Sequence, residues 1–222
     1  MKNLVAGVDE AGRGCVVGPL VVAGVMVTAE ALPILGEMGV KDSKLLTPQK
    51  RELLYPAILQ LAEKWVTIKV QPFEIDRVVE CDRRLHKLNR LEAQTMARVI
   101  DALRPEEVYV DAADTVEHRF GNHIRECLTF KTRIVSRHKA DRDYPVVSAA
   151  SIIAKVERDR EVALLRAQWG DFGSGYLTDD KTLAFLRSLL DKDDEYPSFV
   201  RKSWKPAKRV KSEKGTTQKT LT

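Results

Sequence analysis

Four acidic residues stand at or just beyond the ends of apolar runs in the sequence, and they are Asp9, Glu10, Asp111 and Asp141. Ligand sites in α/β sheets gather outside strand ends, so we expect these carboxylates to lie together. Neighbouring carboxylates repel each other strongly unless cations neutralise them. Oxygen ligands without His or Cys select hard cations, which predicts Mg²⁺ or Mn²⁺. Two such ions, about 4 Å apart, can clamp the attacking and leaving oxygens of a phosphodiester.

The first two acids lead into a glycine turn in the stretch "VDEAGRG", residues 8–14. Consecutive side chains of a strand point to opposite faces, so Asp9 and Glu10 can converge on one ligand only if the backbone turns there. Gly12 and Gly14 permit such a turn. The stretch therefore predicts carboxylates beside a backbone that can approach a ligand closely.

Other polar residues near these acids have a structural alternative. Asp114 and Asp143 could be helix N-caps or solvated charges, as most surface aspartates are. His138 could shuttle protons, but a hydrogen-bonded structural histidine explains it equally well. Lys155 could contact phosphate or pair with Asp159 one helical turn on.

The 222 residues carry a net charge of +5 that is unevenly distributed. From Arg201 onward, eight Lys or Arg and one Glu give +7, so residues 1–200 carry −2. This division suits a body that holds divalent cations and a basic end that touches phosphate, although a solvated tail is the alternative.

The apolar run before Asp9 is too short for a signal peptide or a membrane span, and we expect a cytoplasmic protein without membrane contact.

The three cysteines are widely separated and have no metal-binding or redox spacing. We expect Cys81 and Cys127 to be buried or half-buried.

Apolar and β-branched runs predict five strands, over residues 4–8, 19–27, 66–70, 108–110 and 132–138. Helical spacing predicts helices that begin at Pro48 and Leu88, a long helix ending at Gly170, and a helix over 181–190. This order predicts an α/β fold with a mixed five-stranded sheet flanked by helices. We expect a catalytic domain over residues 1–170, a small helical appendage over 171–206 and a basic flexible tail over 207–222.

Several strings of the sequence resemble the ribonuclease HII family, the type 2 ribonucleases H. In chain order they are "GVDEAGRG", "GPLVVAGV", "DSK", "YVDAAD", "HKAD", "PVVSAASIIAKVERDR" and "GSGY". The resemblance runs from about residue 5 to residue 205, and "DAAD" and "LNRLEA" are similar to the archaeal branch. It implies a ribonuclease H-like fold and an endonuclease that hydrolyses the RNA strand of RNA/DNA hybrids. It also implies cutting on the 5′ side of single ribonucleotides in duplex DNA, leaving 3′-hydroxyl and 5′-phosphate ends. We separately expect the protein to be a monomer.

By position, the family's catalytic, metal-binding acids fall on the four acids named first. Its Gly-Arg-Gly motif falls on Gly12, Arg13 and Gly14, whose backbone would meet the 2′-hydroxyl that separates RNA from DNA. Tyr176 would stack on the sugar of the following nucleotide. Lys44 is the first candidate for a phosphate contact; the others are Lys139, Lys155 and Arg158.

The sequence departs from the family pattern at two loops. Many members have proline where this chain has Cys15, and we expect the change to loosen the glycine turn. Leu177 and Thr178 likewise replace the usual residues after "GSGY". Residues 218–222, "QKTLT", resemble the opening of a sliding-clamp binding peptide, although the chain stops before the two aromatic residues.

Two other functions remain open from the residues alone. One is another metal-dependent nuclease or phosphoryl transferase with the same fold. The other is a non-catalytic nucleic-acid binding module that uses the basic tail, although it leaves the four acids at strand ends unexplained.

Overall fold

The computed structural model describes residues 3–40, 45–81, 87–193 and 195–220, with side chains through residue 213. The strands are β1 Leu4–Ala11, β2 Leu20–Thr28, β3 Lys64–Val70, β4 Glu107–Asp111 and β5 Arg133–Arg137. The helices are α1 Leu32–Glu37, α2 Pro48–Leu61, α3 Pro72–Glu80, α4 Lys87–Leu103, α5 Glu117–Cys127, α6 Ala140–Asp143, α7 Pro145–Trp169, α8 Asp180–Lys192 and α9 Lys205–Thr220. A short 3₁₀ turn, Ala29–Ala31, precedes α1.

The five strands form one mixed sheet in the order β3-β2-β1-β4-β5. Strand β1 pairs antiparallel with β2 and parallel with β4, and β4 pairs parallel with β5. Because β1, β4 and β5 run in the same direction, their carboxyl ends meet at one edge of the sheet. The predicted α/β class and mixed five-stranded sheet are confirmed.

All four predicted helices are present, as α2, α4, α7 and α8. Helix α2 begins at Pro48 as expected, and the Oγ1 of its N-cap residue Thr47 accepts a hydrogen bond from the Lys50 N–H at 3.2 Å. Helix α7 ends at Trp169, and Gly170 follows with φ of +88°, a left-handed conformation that favours glycine.

Five of the described helices were not predicted from the sequence, and these are α1, α3, α5, α6 and α9. Helices α1, α3, α5 and α6 have only 6, 9, 11 and 4 residues, too few for a helical repeat of apolar residues to stand out in the sequence. Helix α9 occupies the segment for which a flexible tail was expected from residue 207, and its Ala207 and Val210 are buried. These two apolar residues are three positions apart and pack one helix face against a core, and the expected flexibility of the tail stays a prediction.

The cysteine prediction was also wrong, since Cys81 and Cys127 are both exposed. Among the helices in the described part of the chain, none combines the length and apolarity that a membrane crossing needs.

The chain divides into two compact units. The first contains residues 1–11, 21–69 and 86–157, including nearly all of the sheet. Its core packs the sheet against the first half of α7, where Val146, Val147, Ile152 and Ile153 are buried. The second contains residues 12–20, 70–85 and 158–222. Its separate core includes Val16, Val17, Phe172, Leu186, Tyr196 and Val200. The expected division into catalytic domain, appendage and tail stays a prediction.

Within the first unit, a glycine lets α7 approach the sheet. A Cβ at Gly7 of β1 would overlap the backbone carbonyl carbon and oxygen of Val146 at the start of α7. Backbone atoms of a packed helix cannot yield as a flexible side chain can. Gly7 therefore fixes the close approach of α7 to the strand that carries Asp9.

Substituting Gly7→Ala is expected to destabilise the protein by about 2 kcal/mol or more, because the added methyl group must displace the helix backbone. Urea unfolding measures the change. Gly36→Ala in α1 is the matched control, since its added Cβ meets nothing nearer than 3.9 Å. The control should leave stability unchanged or raise it by up to about 1 kcal/mol. Equal stability of Gly7→Ala and wild type would contradict the proposed packing.

Candidate active site

Three of the predicted acids converge in the first unit. One carboxylate oxygen from each of Asp9, Asp111 and Asp141 lies within 4.8 Å of the others. The strand register explains part of this, because Val8 of β1 pairs with Val110 of β4 and the acids follow directly. Parallel neighbouring strands therefore present Asp9 and Asp111 at the same level of the sheet.

Helix α6 brings the third acid to the group. Asp111 Oδ1 accepts a hydrogen bond at 3.1 Å from the backbone N–H of Ala140, the first residue of α6. Lys139, just before the helix, has φ of 57°, which turns the chain sharply after β5. Asp111 thus stabilises the turn that positions Asp141, the third candidate ligand. Asp141 is only 1% exposed.

The group is electrostatically strained without a cation. Burial first, and the charge of Asp111 second, raise the pKa of the Asp9 carboxyl to about 7. Hydrogen bonds from Ser151 and the Glu10 N–H, with the charge of Lys155, act in the opposite direction. This group offers an ion only carboxylate oxygens and no His or Cys ligand. Such oxygens suit a hard divalent cation.

Helix α7 contributes two residues that the sequence did not assign to the acids. Ser151 and Lys155 are four residues apart on one helix face, and Lys155 Nζ donates to Ser151 Oγ at 3.0 Å. Both act on Asp9. The sequence signal was their helical spacing within "SAASIIAK", an apolar helix where a buried polar pair needs a partner.

Glu10 is not a member of this group of three. Strand β1 continues past it, with Glu10 paired with Val22 and Ala11 with Val21. The expected turn between Asp9 and Glu10 is therefore absent, and their side chains leave opposite faces of the strand. The backbone turns at Gly12, where φ is +83°. Glu10 Oε2 is nevertheless buried.

Asp114 has a structural role, but it is neither the N-cap nor the solvated charge that was considered for it, since Val116 is the N-cap of α5. Asp114 is buried, and its carboxylate accepts hydrogen bonds from Arg119 and from the Val116 N–H. The hydrogen bond from Arg119 is the main cause that holds the Asp114 pKa well below its ordinary value. Asp143 is exposed. His138 is also exposed, and its backbone N–H donates to Glu117 at 2.7 Å.

The Gly-Arg-Gly motif forms a tight loop in the second unit. A Cβ at Gly12 would lie 2.7 Å from the carbonyl oxygen of Pro19, so only glycine fits there. Arg13 is half-buried and Gly14 is exposed. The ring of Tyr176 lies beside this loop, 3.8 Å from the point where a Gly14 Cβ would stand. The structure thus brings all four predicted recognition residues of this unit together.

A buried arginine supports the tyrosine. The Arg158 guanidinium lies 5.1 Å from the Tyr176 ring centroid, and its Nη2 donates to the Ser174 carbonyl at 2.7 Å. Arg158 is 8% exposed. It therefore shapes the "GSGY" turn, a role different from the phosphate contact considered for it. Lys44 lies outside the described residues.

Sequence reasoning missed the role of Arg201, which it counted only as a basic residue at the start of the charged end. The side chain is fully buried and donates to the carbonyls of Gly12, Arg13 and Gly18. The only sequence signal was its apolar setting, "FVRKSW". Cys15 was expected to loosen the turn, but its Sγ donates to the Gly12 carbonyl at 2.9 Å.

Known proteins are similar to this chain in sequence. The family model described as ribonuclease HII matches residues 6–207. The chain is 45% identical over 207 residues to the ribonuclease HII of Thermococcus onnurineus (strain NA1), covering 92% of this chain and 88% of that one.

Solved structures are similar to this chain in fold as well. The crystal structure of ribonuclease H2 from Pyrococcus horikoshii OT3 superposes with a TM-score of 0.87 at 39% identity, covering 95% of this chain and 98% of that one. A chain from the PCNA:RNase HII complex of Archaeoglobus fulgidus gives a TM-score of 0.82 at 40% identity, covering 93% and 96%. The family match, the level of identity and the shared fold together show that this chain belongs to the ribonuclease HII family and is a type 2 ribonuclease H.

Proposed function

We propose that the protein hydrolyses the RNA strand of RNA/DNA hybrids and cuts on the 5′ side of single ribonucleotides in duplex DNA. The products would carry 3′-hydroxyl and 5′-phosphate ends. The observation that carries the proposal is the convergence of Asp9, Asp111 and Asp141 at one end of the sheet, in a chain of this family. The site would act in a monomer in the cytoplasm.

Two divalent cations, Mg²⁺ or Mn²⁺, fit the donor set. Asp9, Asp111 and Asp141 would hold them, and Glu10 is proposed as a further ligand. When bound, such ions would supply positive charge that activates water and stabilises the negative charge developing on the phosphate and leaving-group oxygens. The raised pKa of Asp9 supports this proposal, because a cation would replace the proton that otherwise relieves the repulsion.

The chain's own groups would do the remaining work. Lys155 and Ser151 keep the Asp9 carboxylate oriented through the contacts described above. The exposed backbone of Gly14 and the neighbouring Arg13 would meet the ribose 2′-hydroxyl, together with Gly12. Tyr176 would stack on the sugar of the next nucleotide, and Lys44 would contact a phosphate.

The C-terminal residues are proposed to contact a sliding clamp. The string "QKTLT" resembles the start of a clamp-binding peptide, and the related Archaeoglobus fulgidus chain was solved as a complex of PCNA with RNase HII. The side chains of these residues lie outside the described part of the chain, so the sequence and that relative carry the proposal.

Asp111→Asn is expected to lower the cleavage rate of a duplex with one ribonucleotide by a factor of about 10³ or more, because a neutral amide is a poor cation ligand. Affinity for the duplex should change little. Gel mapping of the cut in Mg²⁺ and in Mn²⁺, with an all-DNA duplex as a negative control, measures both rate and position. Asp143→Asn, an exposed acid two residues after Asp141, should retain full activity. Full activity of Asp111→Asn would refute this ligand assignment, and cleavage of all-DNA duplex would favour a different nuclease.

Asp9 predicts a pH dependence of stability in the cation-free protein. Its pKa is about 7 in the folded protein and 3.8 ordinarily, so between these values the folded state binds a proton that the unfolded state does not. The stabilising contribution of that proton is lost as the pH rises towards 7. The melting temperature of Asp9→Asn relative to wild type should therefore increase between pH 5 and pH 8.

Calorimetry of Mg²⁺ binding adds a second measurement. Wild type should release a proton on binding below pH 7 and be stabilised by Mg²⁺ at pH 8, whereas Asp9→Asn should do neither. Asp143→Asn again serves as the control. A difference in melting temperature that stays constant with pH would show that Asp9 does not titrate in this range.

Removing residues 214–222 is expected to weaken binding of a hybrid duplex without moving the cut. The two lysines lost, Lys214 and Lys219, would reduce the slope of log affinity against log salt by at most about 2. The truncation begins beyond Ala207 and Val210, which the core of the second unit needs. A full-length variant with both lysines changed to Gln should reproduce the salt effect. An unchanged slope in both proteins would show that the basic end is only solvated.

A further inference from the structure

The loop of residues 12–18 is built around a single buried guanidinium. Arg201 Nη2 donates to the Gly12 carbonyl at 2.6 Å, and Nη1 donates to the Arg13 carbonyl at 2.7 Å. The Gly18 carbonyl accepts from Nη2 at 3.1 Å and from Nε at 3.3 Å. The side chain is 0% exposed, so its charge is balanced by backbone dipoles and not by water.

By fixing these carbonyls, Arg201 also fixes the direction of the N–H group in each of the same peptides. A trans peptide is planar, with its C=O and N–H pointing in opposite directions, and no described peptide bond is cis. Because the Gly12 and Arg13 carbonyls point at Arg201, the N–H groups of Arg13 and Gly14 point away from it. The peptide after Gly18 presents no N–H, because Pro19 follows. Arg201 therefore turns two consecutive backbone donors outward.

Two further residues hold Arg201 in place, one through its guanidinium and one through the backbone that follows it. Cys15 Sγ accepts a hydrogen bond from Arg201 Nη2 at 3.1 Å while it donates to the Gly12 carbonyl. On the other side, the Asp76 carboxylate of α3 accepts the backbone N–H of Lys202 and of Ser203, each at 2.9 Å, and the Ser203 hydroxyl at 2.5 Å. The segment that carries Arg201 is thus tied to α3 directly beside it.

We propose that Arg201 is a positioning residue for ribonucleotide recognition, which sets the Arg13 and Gly14 N–H groups to meet the 2′-hydroxyl. Asp76 fixes its backbone, and Cys15 fixes its guanidinium. The proposal rests on the proposed function, since it assigns the origin of the selectivity of that same site. A merely structural Arg201 would change stability without changing the preference for a ribonucleotide over its 2′-deoxy counterpart.

The test compares affinities in an Asp111→Asn background, so that no substrate is consumed. Two fluorescent duplexes are used, identical except that one nucleotide is a ribonucleotide in the first and its 2′-deoxy form in the second. The affinity ratio is the affinity for the ribonucleotide duplex divided by that for its 2′-deoxy counterpart. Arg201→Lys keeps the charge but loses the forked donor geometry, and it is expected to lower this ratio about tenfold. Cys15→Ala and Asp76→Asn, which leave Arg201 intact, should each lower the ratio about threefold.

Arg187→Gln is the matched control, since it removes an exposed positive charge from the same unit. It should leave the affinity ratio unchanged, even if both affinities fall. Circular dichroism verifies folding, and if Arg201→Lys does not fold, Cys15→Ala decides the question in its place. Folded variants with the ratio of the parent would overturn the positioning role while leaving the proposed function intact. A parent that binds both duplexes equally would overturn the proposed function and this proposal together.

Discussion

The repulsion between Asp9, which is buried, and the half-buried Asp111 on the adjacent strand is the constraint on which the candidate site depends. Asp9 and Asp111 lie at the same level of two parallel strands, and burial with their mutual repulsion raises the pKa of Asp9. Such an arrangement is unfavourable by itself and persists only because the surrounding structure imposes it. The sheet register, the tight approach of α7 at Gly7 and the hydrogen bond from α6 to Asp111 all serve to impose it.

The direction of a pKa shift separates two kinds of buried acid in this protein. Asp114 has dedicated donors, and its pKa is lowered, as expected for an acid that stabilises the fold. Asp9 is buried beside the like-charged Asp111, and the burial first and that charge second raise its pKa, as expected for an acid in a candidate cation site. Both acids come at or soon after the end of an apolar run, so sequence position alone does not distinguish them.

The second unit contains a buried positive charge, which backbone carbonyls stabilise. Arg201 is surrounded by backbone carbonyls, and burial lowers the pKa of its guanidinium from the ordinary value. The carbonyls that solvate it belong to the loop that immediately follows β1 in the chain. The strand that carries Asp9 and Glu10 therefore leads, through Ala11 alone, into the backbone held by Arg201. The proposed recognition loop and the candidate acids are thus covalently connected over a very short stretch of chain.

The sequence by itself determined the strands, the main helices and three acids that do converge, because apolar periodicity and strand-end position are local properties. Its motifs also determined the family. Tertiary structure alone decided the placement of Glu10, which depends on whether β1 turns or continues, and this is set by pairing with β2. It also decided the roles of Ser151, Asp76 and Arg201, whose partners lie far away in the chain or on another element. A hydrogen bond between distant residues leaves no periodic trace in a sequence, so a buried arginine in a basic segment looked like a surface charge.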